Sequence, residues 1–455
     1  MKVKEILKVT KGKMLFGNEE LEVENFSKDT RTIQKGDIYI GIKGEKFDGS
    51  NFWNQALDAG ATAVIISNIQ ISKEEKEKYK DKTIIQVEDT FEALYEIAKY
   101  KRSLYNIPVI AVTGSVGKTS TKDIIASVVS QKYKTLKTEG NNNNNIGLPL
   151  TILKLKDHEA LVVEMGMNHF GEISLLTNIA KPTLAVITNI GTSHIGNLGS
   201  RENILKAKLE ILEGMKIPRV IINNDNDLLH KWDEENKEKI EIDTYGINNS
   251  SDVIAEKIEL GEEKSKFVVK TSSEKVNIDV PVGGEHFVYN ALCGFMVGKV
   301  LGLTAKEIQN GISKFELTKK RMDIRVLKNG ATLINDSYNA SYESMKASLK
   351  YLSSRTDLRK IAVLGDMLEL GDFSKELHEK VGEEVANDNI DVLICRGEFA
   401  KNIISKANKN KKTQCILLQN NEEILSKLQE ILKEGDGVLI KASNGMKFYE
   451  ICQKL

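Results

Sequence analysis

The chain has 455 residues, with 65 Lys+Arg against 65 Asp+Glu, 40% hydrophobic residues and five prolines. That length exceeds one ordinary core and predicts two or three domains, and the hydrophobic share excludes intrinsic disorder. Zero net charge argues against nucleic acid as a partner, and no run reaches the ~18 apolar residues of a membrane span, so a cytoplasmic protein without membrane insertion is expected.

In chain order, residues 37–42, 63–66 and 83–87 read as short strands separated by turn signals. The charge run 73–82 (KEEKEKYKDK) reads as a solvated helix or loop. Residues 90–105 form an amphipathic helix with Phe91, Leu94, Tyr95, Ala98 and Leu104 on one side. The first boundary falls just before it, which gives a first domain of 1–87.

Next comes IPVIAVTGSVGKTS at 107–120. Residues 109–113 are a β-branched run typical of a buried parallel strand. Gly114 and Gly117, around Ser115 and Val116, permit a tight turn with N–H groups aimed at an anion. Lys118 can reach outer phosphates, the Thr119 hydroxyl can ligate Mg²⁺, and Ser120 opens a helix over 120–131. The general pattern is G-x-x-x-x-G-K-[ST], yet Val112 stands where its first Gly belongs. The loop is a shortened variant.

The low-complexity run Asn141, Asn142, Asn143, Asn144, Asn145 precedes a Gly147-Leu148-Pro149 turn; it is either a disordered loop or a functional one. Strands at 161–164, 184–188 and 220–223 alternate with helices, which implies a mostly parallel sheet covered on both faces. Glu164 ends one strand and His194 follows another, where doubly wound sheets bind ligands. With the phosphate loop, they suggest that Thr119 and Glu164 hold one Mg²⁺ and that His194 helps hold a second.

In the helix 201–214, at about 100° per residue, Lys208 falls in the middle of the apolar stripe and Lys206 on the solvent face. Such a lysine either snorkels to the surface or is a desolvated, nucleophilic amine. A desolvated amine can add CO₂ and become a carbamate, an anionic Mg²⁺ ligand. Residues 252–281 look like β-hairpin material, and a helix spans 287–301. His286 and Asn290 sit four residues apart, on one helix face, and suit a common ligand.

A third αβ unit begins near Arg321, with strands at 332–335, 361–364, 392–395, 416–418 and 438–440. It reads as doubly wound without a dinucleotide fingerprint. Cys293, Cys395, Cys415 and Cys452 have no metal or redox spacing and read as buried thiols. The expected fold is α/β in three domains, 1–87, 88–317 and 318–455, the central one a P-loop domain and the last Rossmann-like.

The motifs TGSVGKTS, TEGNNNNNIGLPLT, VVEMGMNHFGEI, TNIGTSHIGNLGS, AKLEIL, GGEHFVYNAL, KKRMDIR, DSYNA and GDMLELGD together resemble the Mur ligase family. Within it they look closest to the members that add D-Ala-D-Ala to UDP-N-acetylmuramoyl-tripeptide. The resemblance implies ATP as cosubstrate, two Mg²⁺ ions, an acyl-phosphate intermediate and a monomer, with these small molecules as its partners. It implies that Asp29, Thr30, Arg31, Gly44, Glu45, Phe47, Asp48 and Gly49 contact the UDP precursor in the first domain. Substrate contacts at Asn142–Asn145, Tyr338 and Asn339 follow from it as well. Asn290, Arg321 and Asp336 match nucleotide-contacting positions, Glu164 and His194 metal ligands, and Lys208 a carbamylated lysine. Three segments depart from the family pattern: Gly49-Ser50-Asn51-Phe52, Ala340-Ser341-Tyr342 and Lys441-Ala442-Ser443-Asn444.

Three rival readings follow, one of them a non-catalytic sugar-nucleotide binder, which the retained Lys118 and Thr119 argue against. A related ligase could add a single amino acid or polyglutamylate a folate; GDMLELGD and the Asn-rich loop argue against it. A P-loop ATPase switch would leave Lys208 and the third domain without a task.

Overall fold

The computed structural model describes residues 1–44, 47–67, 69–318 and 321–455. Among them, short β-branched runs build three sheets. In the first, Phe26–Ser27, Ile38–Ile40, Ala63–Ser67 and Thr83–Val87 run parallel in that order, and Lys13–Phe16 pairs antiparallel with Thr83–Val87. The charge run forms a helix, Lys73–Lys78, because Ser72 and Glu75 make a reciprocal capping box at its start. Trp53–Asp58, a short helix the sequence reading passed over, buries Trp53, Ala56 and Leu57.

The central sheet places Val109–Thr113 between Ala160–Glu164 and Leu184–Ile187, all parallel and buried along their length. Thr135–Lys137 forms one edge beyond Ala160–Glu164; Arg219–Asn223 and Glu241–Gly246 extend the other side. The chain's winding reverses at Val109–Thr113, so the carboxyl ends of three adjacent strands open onto one crevice. Val112 lies directly opposite both Glu164 and Val186. The segment expected as a hairpin supplies three strands. Val253–Leu260 joins parallel to Glu241–Gly246, and Ser265–Lys270 and Lys275–Val280 follow antiparallel. Strict alternation of exposed and buried residues along Lys275–Val280 gives it one wet face.

Two local expectations are corrected. Gly147-Leu148-Pro149 is the first turn of a helix, Gly147–Leu153, with Asn144 Oδ1 accepting the Gly147 N–H at 2.8 Å. Pro149 is tolerated there because first-turn N–H groups make no intrahelical bond. The helix after the phosphate loop starts at Lys118 rather than at Ser120, straight after Gly117 in the left-handed region.

The third sheet orders Asp323–Val326, Thr332–Asn335, Asp436–Lys441, Arg359–Gly365, Val392–Arg396 and Gln414–Leu417, with only the first antiparallel. Insertion of the last strand in sequence beside Thr332–Asn335 aligns Asn335 with Ile440, so Asp336 and Lys441 leave the sheet side by side. The main apolar core runs through the first two sheets and one face of the third, and a second cluster fills the third sheet's other face. Among the described residues no helix is long and apolar enough to cross a membrane.

Candidate active site

Val109–Thr113 keeps its strand register to the end, so the turn needs only residues 114–117. Val112 is therefore a fully buried strand residue, and a glycine there would serve no turn. Gly114 has φ 150°, and a Cβ on it would stand 1.9 Å from Thr188 Oγ1; Gly117 has φ 80°. The loop is stitched to the neighbouring strand's end. The Ser115 N–H donates to Asn189 O and the Val116 N–H to Asn189 Oδ1, both at 3.0 Å. Thr188 Oγ1 donates to Val116 O at 2.7 Å. The helix Lys118–Val129 then presents its free N–H groups and positive dipole end to the crevice.

Glu164, 1% exposed, is held from both sides: Thr119 Oγ1 donates to Oε2 at 2.9 Å and Asn143 Nδ2 to Oε1 at 2.7 Å. Its backbone N–H donates to Thr138 Oγ1 at 3.1 Å, and the buried Lys122 amine donates to Thr138 O at 2.8 Å. The Asn run is thereby ordered residue by residue. Asn141 lies beside the Tyr338 hydroxyl, Asn143 holds Glu164, Asn144 caps the Gly147–Leu153 helix and Asn145 lies beside the Tyr95 hydroxyl. Asn142 packs where Gly147 has no Cβ, its Cα 2.6 Å from that position.

Two lysines approach this centre differently. Lys118 Nζ donates to Gly114 O at 2.8 Å and to Ser115 O at 3.3 Å; loss of water lowers its pKa against the pull of Glu164, and the Arg321 charge lowers it further. Lys208, 1% exposed, has no hydrogen-bond or ion-pair partner among the described residues. Burial first, and then the Lys118 charge, push its pKa well below the ordinary value. It does not snorkel; Lys206, on the other face, is exposed.

The third sheet closes the crevice. Lys441, almost fully buried, pairs with Asp336 and donates to Asn339 O at 3.1 Å. Asp336 also accepts from Ser348 Oγ at 2.7 Å. The Arg321 guanidinium lies 4.0 Å from the Tyr338 ring centre, and its buried Nε has no partner. Asn444, one of the departures, donates from Nδ2 to Tyr338 O at 3.1 Å. Ser341, another, caps the helix Tyr342–Ser354.

The cleft so formed has a volume of about 440 Å³. Ser115–Ser120, Asn143, Asn144, Glu164 and His194 line its central-sheet side; Arg321, Asp336, Tyr338 and Asn339 line the other. Asn290 also lines it, taking the Thr121 hydroxyl at 3.0 Å, as does His286, whose pKa burial pushes down to about 4. Gly114, Lys208, Asn142 and Asn145 do not line it. Nor do the first-domain residues. Asp29 accepts two bonds from the Arg31 guanidinium at 2.9 and 2.6 Å, with Thr30 between them. Phe47, 64% exposed, stands edge-on to Phe52, and Asp48 caps Ser50 at 2.9 Å. Gly44 donates to Phe47 O at 2.9 Å, and a Cβ on Gly49 would meet Ile42 O at 2.5 Å. Glu45 lies outside the described residues. Sequence reasoning missed Lys441, Asn189, Glu343 and Glu369. The first two sit at strand carboxyl ends, and that rule could have found them. Glu343 comes from a distant helix and carried no local signal, whereas Glu369 lies inside the GDMLELGD motif, which marked the segment but not the partner of its carboxylate.

Three family descriptions match the chain: the Mur ligase family catalytic domain over residues 22–102, the Mur ligase middle domain over 112–298 and the Mur ligase glutamate ligase domain over 320–444. The UDP-N-acetylmuramoyl-tripeptide–D-alanyl-D-alanine ligase of Bacillus subtilis is 37% identical, covering 100% of this chain and 98% of the relative. The enzyme of that name from Escherichia coli is 30% identical over 83% of this chain and 82% of its own. A crystal structure of MurF from Acinetobacter baumannii superposes with a TM-score of 0.88 at 30% identity, covering 100% of this chain and 98% of its own. MurF from Thermotoga maritima in complex with ADP gives 0.81 at 29%, covering 96% and 98%. With full-length identity at this level and a crevice assembled from the second and third matched regions, the chain belongs to the Mur ligase family.

Proposed function

We propose that the chain is an ATP-dependent ligase that joins D-Ala-D-Ala to UDP-N-acetylmuramoyl-tripeptide, the last step in building the UDP-linked pentapeptide precursor of peptidoglycan. The observation that carries this reading is the convergence, in one cleft, of a phosphate loop, a buried carboxylate and a third-sheet wall bearing Arg321, Asp336 and Lys441. The relatives from Bacillus subtilis and Escherichia coli carry that activity in their names. A reaction that uses ATP and a UDP-linked substrate fits a cytoplasmic location.

The free N–H groups that open the Lys118–Val129 helix, together with Lys118, bind the ATP phosphates. The partnerless Arg321 Nε, with Asn290 and Asp336, receives the nucleoside side. Among the described residues no three His, Cys, Asp or Glu side chains form a ready-made metal cage. That fits Mg²⁺, which is held by one or two carboxylates together with substrate phosphates and keeps several waters. Thr119 and Glu164 would hold one ion and His194 a second. The buried, partnerless Lys208 amine suits CO₂ addition, and the resulting carbamate would complete the set. Bound Mg²⁺ supplies charge neutralisation as phosphates and carboxylate come together. The first domain takes the UDP moiety near Asp29–Arg31 and Gly44–Gly49, and Tyr338, Asn339 and the Asn loop guide the peptide.

The peptide carboxylate attacks the γ-phosphate in line and ADP leaves, giving an acyl phosphate. The D-Ala-D-Ala amine then adds to that carbonyl, loses a proton, and expels phosphate with the original carboxylate oxygen. Tripeptide with both oxygens of the terminal carboxylate labelled with ¹⁸O tests this: mass spectrometry should find one ¹⁸O in each phosphate released. Phosphate free of label would overturn the acyl-phosphate route.

A further inference from the structure

The GDMLELGD segment reaches from the third sheet onto the loop that carries His194. His194 Nδ1 lies 2.6 Å from Glu369 Oε2, and the Gly196 N–H donates to Glu369 O at 3.1 Å. A carboxylate only accepts, so Nδ1 carries the proton in this contact, which leaves Nε2 as the nitrogen a cation can take. The contact is built on both sides. His194 and Glu369 hold left-handed φ values of 63° and 64°. A Cβ on Gly196 would stand 2.6 Å from Gly371 N, so only glycine allows the approach.

The Glu369 loop is itself fixed from behind. The Met367 N–H donates to Nε2 of the fully buried His378 at 3.0 Å, and the Leu368 N–H donates to Ser443 Oγ at 2.9 Å. The Glu343 carboxylate grips the same His194 loop separately, accepting from the Thr192 N–H at 2.7 Å and its hydroxyl at 3.1 Å.

We propose that Glu369 is a positioning residue that locks His194 in the tautomer offering Nε2 to a divalent cation, so that this ligand is ready only when the third domain is docked. The inference rests on reading His194 as a cation ligand. A carboxylate behind a metal-binding histidine orients the ring and raises its basicity, and its loss costs 10–100-fold in metal affinity.

The test uses the full-length protein with ADP and Mn²⁺ as a paramagnetic probe, and ¹⁵N NMR of the histidine ring before metal is added. Glu369→Leu should weaken Mn²⁺ binding by roughly 10- to 100-fold and release the Nδ1–H tautomer. Glu369→Gln keeps an acceptor for Nδ1–H and should stay within a few-fold of the parent. Glu343→Gln, which loosens the loop without touching His194, should leave the tautomer unchanged and so separates positioning from loss of docking. Glu369→Leu binding Mn²⁺ like the parent, while His194→Ala binds weakly, would overturn the proposal alone. Unchanged Mn²⁺ affinity in His194→Ala would overturn the ligand reading beneath it.

Discussion

Replacing Lys208 with Met should make the protein more stable and catalytically dead. The Lys208 residue is 1% exposed, and among the described residues no hydrogen bond or ion pair holds its amine. Leaving a polar group buried without a hydrogen bond costs about 1–3 kcal/mol in proteins. Met keeps most of the chain length and volume without that amine, so Lys208→Met should recover ~1–3 kcal/mol in CO₂-free buffer. The two tryptophans permit a clean assay, since Trp53 lies in the first sheet's core and Trp232 on the helix Asp227–Asn236 of the central region. In a Trp53→Phe background, denaturation followed by Trp232 fluorescence reports the central domain. Bicarbonate should stabilise the parent, through the carbamate, and leave Lys208→Met unmoved. Ligase activity should fall by at least about 10²-fold, the scale of removing one electrostatic group from a transition state, and in Lys208→Ala short carboxylates should partly restore it. A destabilised Lys208→Met that keeps its activity would refute the reasoning.

Gly114→Ala places a methyl 1.9 Å from Thr188 Oγ1 at φ 150°; calorimetric titration should show ATP affinity lost, and a parent-like value would contradict the loop account. Asn143→Ala strips a 2.7 Å bond from a buried carboxylate; a charge-assisted bond is worth about 1.5–3 kcal/mol, so kcat/KM should drop roughly 10- to 100-fold, measured by initial rates. His286 has its pKa lowered from 6.5 to about 4 by burial. Its stabilising contribution is present above pH 6.5 and lost as pH falls towards 4, by linkage ~2 kcal/mol at pH 5. Denaturation of His286→Gln between pH 7 and 5 should show a shallower loss of stability than the parent.

The sheets were legible wherever a β-branched run was long enough to be buried on both faces, as at Val109–Thr113 and Thr83–Val87. The phosphate loop was legible because its chemistry is local. Thr135–Lys137 and Glu241–Gly246 were passed over: the first is a half-buried edge of three residues, and the second starts with an exposed Glu241 and the half-buried Ile242 and Asp243. The Asn run could not be resolved from composition, since the partners of Asn141, Asn143 and Asn145 (Tyr338, Glu164 and Tyr95) lie on three distant elements. Lys208 was found by helical phase alone, but whether it snorkels depends on what packs over the helix. Glu343 and Glu369 act across a domain boundary, where chain separation hides the contact.

The most direct test of the central claim is phosphate release from ATP with UDP-N-acetylmuramoyl-tripeptide, with and without D-Ala-D-Ala. Sustained release that requires both substrates and matches pentapeptide formation one for one is the result expected. ATP turnover indifferent to the UDP-linked peptide, or ligation of single amino acids but not of D-Ala-D-Ala, would contradict it.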